Sequence, residues 1–61
     1  MRQTLELYRD DTRLIRTTSP DTMIDLQSGN YDVTTELREQ LSVLWPMEEY
    51  TGELILEVTN G

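Results

Sequence analysis

Carboxylates are the residues of this chain whose number and spacing come closest to supporting chemistry. The sequence has twelve acids but no histidine and no cysteine, so the commonest general base and the thiolate nucleophile are both absent. Paired carboxylates run acid–base catalysis when their environments separate their pKa values. The candidate pairs are Glu48 with Glu49 and Glu53 with Glu57. On a strand, Glu53 and Glu57 lie about 13 Å apart, so we predict solvated acids and no enzyme.

Metal ligation and nucleophilic catalysis have little support. Asp10-Asp11 would suit the start of a calcium loop, but Thr12 and Arg13 follow where further oxygen ligands are required. The serines have no histidine or lysine to activate them. The glycines are isolated and lack the spacing of a phosphate-binding loop. We therefore predict no catalytic residue, no cofactor and no metal site.

The charge is acidic and unevenly distributed. The formal net charge is −7, and every basic residue is an arginine. Residues 1–16 contain four arginines and three acids, whereas residues 17–61 contain nine acids and one arginine. Nucleic-acid binding needs a basic patch that displaces counterions, and anionic membranes repel an acidic chain. We predict no direct nucleic-acid or membrane contact, and a surface that is either merely solubilising or made for a basic protein partner.

The short chain limits the architecture. Sixty-one residues make one domain at most, and we assign residues 1–61 to it. With no disulfide or metal to support so small a core, oligomerisation is the remaining means, so we predict a homo-oligomer, most simply a dimer. No apolar run approaches the roughly 20 residues of a membrane span, and no signal-peptide pattern is present. The lack of cysteine agrees with a cytoplasmic location.

Two alternating runs predict a β-hairpin that turns at Asp10-Asp11. The expected cross-strand pairs are Thr4–Thr17, Leu5–Arg16, Glu6–Ile15, Leu7–Leu14 and Tyr8–Arg13. In this register the leucines at 5, 7 and 14 share one face, which we expect to be the core face. Residues 22–27 fit either a short helix after Ser19-Pro20 or a strand that turns at Gly29-Asn30, and we favour the strand.

An amphipathic helix is predicted over residues 34–45. Its apolar stripe consists of Val33, Leu37, Leu41 and Leu44. Asp32 or Thr34 can cap its start, and Pro46 ends it. Residues 47–52 form a loop, residues 53–58 a final strand and residues 59–61 a frayed tail. The resulting fold class is α+β: a small two-layer domain in which an antiparallel β-hairpin and a C-terminal strand pack on one α-helix.

Two apolar features are candidates for a contact surface. Trp45, Met47 and Tyr50 cluster around Pro46. Either Trp45 closes the end of the core, or the aromatic residues form an exposed anchor in an interface. Ile55 lies between Glu53 and Glu57 on the outer face of the last strand. If that strand lies beside the hairpin, Ile55 and Ile15 together make an apolar patch ringed by charges.

Two functions fit these observations. The first is a small acidic binding module that inhibits or regulates a partner with a basic surface, for example a nucleic-acid mimic or a phage-type inhibitor of a defence or nucleic-acid enzyme. The second is a structural subunit that homo-oligomerises through strand edges and an apolar sheet face. The candidate partner-binding residues are Glu36, Glu39, Trp45, Glu48, Glu49, Tyr50, Glu53, Ile55 and Glu57.

Overall fold

Four strands and one short helix make up the α+β fold in the computed structural model, which describes residues 2–61. The elements are β1 (Gln3–Arg9), β2 (Thr12–Ser19), β3 (Gly29–Asp32), α1 (Thr35–Leu41) and β4 (Ile55–Asn60), with a 3₁₀ turn at Met47–Glu49. The strands form one antiparallel sheet in the order β2-β1-β4-β3. The helix and the connecting loops lie on one face of this sheet, so the fold has the two layers expected.

Buried and half-buried side chains alternate along β1 and β4, and this alternation gives the sheet two different faces. Leu5, Leu7 and Leu56 are fully buried on one face, while the residues between them are only half-buried. Leu37 and Leu41 of α1 belong to the same core cluster. Each aliphatic side chain removed from water contributes about 1.5–3 kcal/mol. The helix-covered side, here called the covered face, therefore holds the fold together.

The hairpin register differs from the expected one because β2 contains a bulge. The turn pairs Tyr8 with Arg13 as predicted, but Leu7 pairs with Ile15, which leaves Leu14 as an extra residue. All pairs beyond the bulge therefore shift, so that Thr4 meets Thr18, Leu5 meets Thr17 and Glu6 meets Arg16. The shift has a clear physical benefit, since it moves an unpaired guanidinium from the core face to solvent. It also moves Ile15 to the covered face, so the predicted Ile15–Ile55 patch was wrong.

Helix α1 starts one residue after the predicted position, with the predicted Thr34 as its N-cap, and ends four residues early. The Thr34 hydroxyl oxygen accepts a hydrogen bond from the Leu37 amide at 3.2 Å, the usual N-cap arrangement. After Leu41 the chain makes a tight turn, in which the amides of Leu44 and Trp45 both donate to the Leu41 carbonyl. The turn changes the chain direction. Leu44 is consequently 37% exposed, and Trp45 takes its place in the core.

Residues 20–28 form neither the predicted strand nor the alternative helix. They cross the covered face as an irregular loop held by the buried side chain of Gln3. The Gln3 Oε1 accepts from the amides of Met23 at 2.6 Å and Ile24 at 3.0 Å, and its Nε2 donates to the Ile24 carbonyl at 2.9 Å. Gln3 thus supplies the hydrogen bonds that a neighbouring strand would otherwise give.

The C-terminal residues are also better ordered than expected. Asn60 ends β4, and its amide donates to the Ser28 hydroxyl at 2.9 Å. Its side chain donates to the Leu26 carbonyl at 2.9 Å and accepts from Gln3 Nε2 at 2.9 Å. The predicted frayed tail was therefore wrong, because these bonds tie the last strand to the crossing loop.

Arg38 fixes the loop that follows the helix. Its Nη1 donates to the carbonyls of Met47 at 2.9 Å and Tyr50 at 2.7 Å, and its Nη2 lies 3.5 Å from the carbonyl of Gly52. Hydrogen bonds from a charged donor are the stronger ones. Arg38 is the only arginine in residues 17–61, and its guanidinium therefore stabilises the loop between α1 and β4.

Candidate functional site

The second face of the sheet, here called the open face, carries no buried side chain in residues 2–61. The strand pairings place eleven side chains on it: Thr4, Glu6 and Tyr8 of β1; Arg13, Arg16 and Thr18 of β2; Asn30 and Asp32 of β3; and Ile55, Glu57 and Thr59 of β4. Core side chains pack on the other side of the sheet. The open face is thus a sheet surface that the fold leaves accessible for a contact.

Strand register arranges the centre of the open face in two rows. One row runs Arg13, Tyr8, Ile55, Asp32, and the next runs Arg16, Glu6, Glu57, Asn30. Directly opposed side chains of an antiparallel pair lie about 4.5–5.5 Å apart. The face therefore has basic residues along β2, an apolar pair at its centre and acids towards β3.

Glu6 is the hub of the polar contacts at the centre. Its Oε2 accepts from Arg13 Nη1 at 3.1 Å and from the Tyr8 hydroxyl at 3.3 Å. The Glu6 side chain is 14% exposed and that of Arg13 is 54% exposed. An ion pair this accessible to solvent contributes about 0–1 kcal/mol. Its main effect is to fix the positions of Glu6 and Tyr8.

Glu57 differs from Glu6 because no arginine lies within salt-bridge distance of it in the part of the chain described. It lies directly opposite Glu6, and like charges in this position repel each other. Partial burial and the carboxylates of Glu6 and Glu57 raise the pKa of the Tyr8 phenol. The phenol therefore stays a neutral hydrogen-bond donor, and Glu57 has no ion-pair partner within residues 2–61.

Further acids gather at the turn end of the open face. A cleft of about 430 Å³ is lined by Asp10, Asp32, Glu53 and the apolar side chains of Val33, Leu54 and Ile55. A shallower depression of about 200 Å³ is lined by Tyr8, Asp10, Asp11, Asn30, Ile55 and Glu57. We call the five acids Asp10, Asp11, Asp32, Glu53 and Glu57 the acidic end. Ile55 borders both depressions, so an apolar side chain lies among them.

The backbone of the hairpin turn shapes this end. Asp10 has a φ of 55°, in the left-handed region that aspartate tolerates better than most residues. The two-residue turn directs Asp10 and Asp11 towards β3 and β4, where they join Asp32 and Glu57 in lining the depressions. Sequence reasoning missed Asp10, Asp11 and Asp32 as site residues because they come from two distant segments.

The predicted site residues fall into four places: the acidic end, helix α1, the 3₁₀ turn and the core. Glu53, Ile55 and Glu57 lie together at the acidic end, whereas Glu36 and Glu39 are exposed on α1 and Glu48 and Glu49 on the 3₁₀ turn. Trp45 is 4% exposed and its indole N–H donates to the Thr17 hydroxyl at 2.8 Å. A side chain so buried closes the core and is no exposed anchor. Tyr50 is half-buried against the same core.

Other types of site find no support in residues 2–61. These residues contain no group of three acids that could hold a metal ion. The helix described is too short and polar to cross a membrane. Comparison of the chain with protein-family models, curated proteins and solved structures gave no match. The open face with its acidic end is thus the remaining candidate for a contact surface.

Proposed function

We propose that the chain is a small non-enzymatic binding module that regulates or inhibits a partner with a basic surface, and that it docks through the acidic end of the open face. One observation carries the proposal. Five acids from the turn and from the β3 and β4 segments surround Ile55, the apolar residue at the centre of an uncovered sheet face. If these acids served only to keep the protein soluble, they would not have to cluster around an apolar side chain.

The physical chemistry of association supports this use. Interfaces obtain most of their affinity from a central apolar or aromatic contact, while charges at the rim accelerate docking and select the partner. Tyr8 and Ile55 are paired across β1 and β4 and provide such a centre. The acidic end provides the rim, and none of its five acids forms an ion pair within residues 2–61. A nucleic-acid-binding enzyme is one class of partner with the required basic surface.

Two double variants of equal charge test the proposal. Asp32→Asn with Glu57→Gln removes two charges from the acidic end, and Glu36→Gln with Glu39→Gln removes two from the helix. Proteins captured from the native source by the wild type should be lost with the first pair and kept with the second. Equal capture by both pairs, with folding intact by circular dichroism, would contradict docking through the acidic end.

A second candidate is the homo-oligomer, which the sheet topology favours at one place. β2 is an edge strand of eight residues, and an unpaired strand edge is a template for another strand. The bulge of β2 and the charges of Arg13 and Arg16 oppose such pairing, because bulges and charged side chains keep natural edge strands from pairing with another chain. Light scattering over a dilution series tests this candidate. A dimer mass that falls on dilution supports it, and a monomer mass at every concentration refutes it.

A further inference from the structure

Asn60 and Gly61 form the one asparagine–glycine pair of the sequence. In such a pair the backbone nitrogen of the glycine can attack the side-chain carbonyl carbon of the asparagine, because glycine has no Cβ to hinder the backbone rotation that this approach requires. The other asparagine, Asn30, is followed by Tyr31, whose side chain opposes the same rotation. Asn60 is therefore the asparagine with the more reactive sequence.

Hydrogen bonds restrain both reacting groups at the end of β4. The Asn60 side-chain amide is bonded at each end, since its Nδ2 donates to the Leu26 carbonyl at 2.9 Å and its Oδ1 accepts from Gln3 Nε2 at 2.9 Å. The Gly61 amide donates to the Arg2 carbonyl at 2.9 Å. The attack requires both groups to rotate, so these bonds have to break first. The reaction therefore proceeds from a locally open form of the protein.

We infer that Asn60 is a site of spontaneous deamidation, with water as the co-reactant, and that opening of the end of β4 controls the rate. In the open form the Gly61 nitrogen loses its proton and bonds to Asn60 Cγ, while the bond from Cγ to Nδ2 breaks and ammonia leaves with that proton. Water then opens the cyclic imide at either carbonyl group, which gives aspartate or isoaspartate. Asn60 is half-buried and Gly61 is exposed, so solvent water reaches the pair.

Either product weakens the attachment of the crossing loop, residues 20–28. A carboxylate accepts hydrogen bonds but donates none, so the Leu26 carbonyl loses the donor that Asn60 Nδ2 provides and faces a negative charge. Isoaspartate also inserts a methylene group into the backbone, which displaces the Gly61 amide from the Arg2 carbonyl. Deamidation therefore releases the loop from the end of β4. This inference is independent of the proposed docking, because Asn60 pairs with Gln3 on the covered side of the sheet.

Peptide mapping by mass spectrometry measures the reaction at Asn60 and, as an internal comparison, at Asn30. The wild type is incubated in mildly alkaline buffer with and without denaturing urea. In urea, Asn60 should react faster than Asn30. Without urea, the reaction at Asn60 should be about tenfold slower or more, because a local opening that costs about 1.4 kcal/mol corresponds to a factor of ten. Equal rates at Asn60 in the two conditions, or a faster reaction at Asn30 in urea, would overturn the inference.

A serine variant tests the control by the hydrogen bonds. Ser28→Ala removes the hydroxyl that accepts from the Asn60 backbone amide at 2.9 Å, and it should therefore favour the open form. Its matched control is Ser42→Ala, at an exposed position after α1. Without urea, Ser28→Ala should speed the reaction at Asn60 about twofold to tenfold, the range for one hydrogen bond, and Ser42→Ala should leave it unchanged. Equal rates in the two variants contradict control by the end of β4.

The release of the crossing loop has its own test. Asn60→Asp reproduces one reaction product, and Gln40→Glu adds the same charge at an exposed position of α1. Hydrogen exchange is measured at the amides of Met23 and Ile24, which donate to Gln3 Oε1. Both amides should exchange at least about twofold faster in Asn60→Asp than in Gln40→Glu, the smallest change expected from one lost hydrogen bond. Equal exchange in the two variants would show that the product leaves the loop in place.

Discussion

The two faces of one sheet use the same strands for different purposes. On β4, Leu56 and Val58 face the helix and are at most 2% exposed, while Ile55 and Glu57, which alternate with them, face the open side and are half-buried. The covered face holds the apolar side chains that the fold needs. The open face holds both signs of charge, an ion pair and an unpaired acid. Because side chains alternate between the two faces along a strand, one segment contributes to the buried core and to the exposed surface independently.

The largest expected effect comes from placing a charge on the covered side. Leu41→Asp puts a carboxylate at a position that is 0% exposed, and burying an unpaired charge costs several kcal/mol or forces its protonation. A small domain has about 5 kcal/mol of total stability. We expect Leu41→Asp to be unfolded at neutral pH by circular dichroism. An unchanged melting curve would show that α1 does not pack on the sheet.

A pair of neighbouring alanine substitutions compares the two faces most closely. Leu56→Ala should cost about 2–5 kcal/mol, because it leaves a cavity in the core. Ile55→Ala, one residue away on the open face, should cost less than about 1 kcal/mol, because solvent fills the space. Urea denaturation measures both. Similar losses for the two variants would mean that the open face is covered in the folded protein.

Replacing Gln3 tests whether its buried side-chain amide on the covered face stabilises the fold. Gln3→Leu removes the acceptor for two backbone amides and the donor for one backbone carbonyl. Leaving such buried groups unsatisfied costs about 1–3 kcal/mol, so the melting temperature should fall clearly. Gln40→Leu on the exposed side of α1 is the control and should have little effect. If both variants melt alike, the crossing loop does not depend on the Gln3 amide.

The smallest expected effect is a pH dependence on the open face. The pKa of Tyr8 is raised above 10.0 in the folded state, so the folded protein retains a proton that the unfolded chain loses. The contribution of Tyr8 is complete below about pH 10 and declines as the pH rises further. Tyr8→Phe should therefore lose stability less steeply than the wild type between about pH 9 and pH 11. Parallel stability curves for the two proteins would contradict this assignment.

The contrast between the faces was partly visible in the sequence. The alternation of Leu54, Leu56 and Val58 with Glu53, Ile55 and Glu57 correctly predicted which side chains are buried, because a period of two is unambiguous over six residues. The strand itself runs over Ile55–Asn60 and not over the predicted residues 53–58. The N-cap at Thr34 was recognisable from a local rule. Features that depend on neighbours within one element were thus predictable.

Features that depend on distant segments were not. Nothing local marks Leu14 as the extra residue of a bulge, so Ile15 and Arg16 were assigned to the wrong faces. The crossing loop depends on Gln3, 21 residues from Ile24, and no periodicity expresses such a contact. The acidic end likewise exists only after Asp10 and Asp32 are brought together by the strand order. The positions of these residues depend on tertiary contacts, which local sequence patterns do not encode.

One measurement tests most directly whether the open face is the docking surface. The chain has three isoleucines, Ile15, Ile24 and Ile55, of which only Ile55 lies on the open face. In a protein labelled with ¹³C at the isoleucine δ-methyl groups, titration with a synthetic peptide in which arginines flank a leucine should shift the Ile55 signal strongly and leave the other two nearly unchanged. A shift of the Ile15 or Ile24 signal with a stationary Ile55 signal would contradict the account.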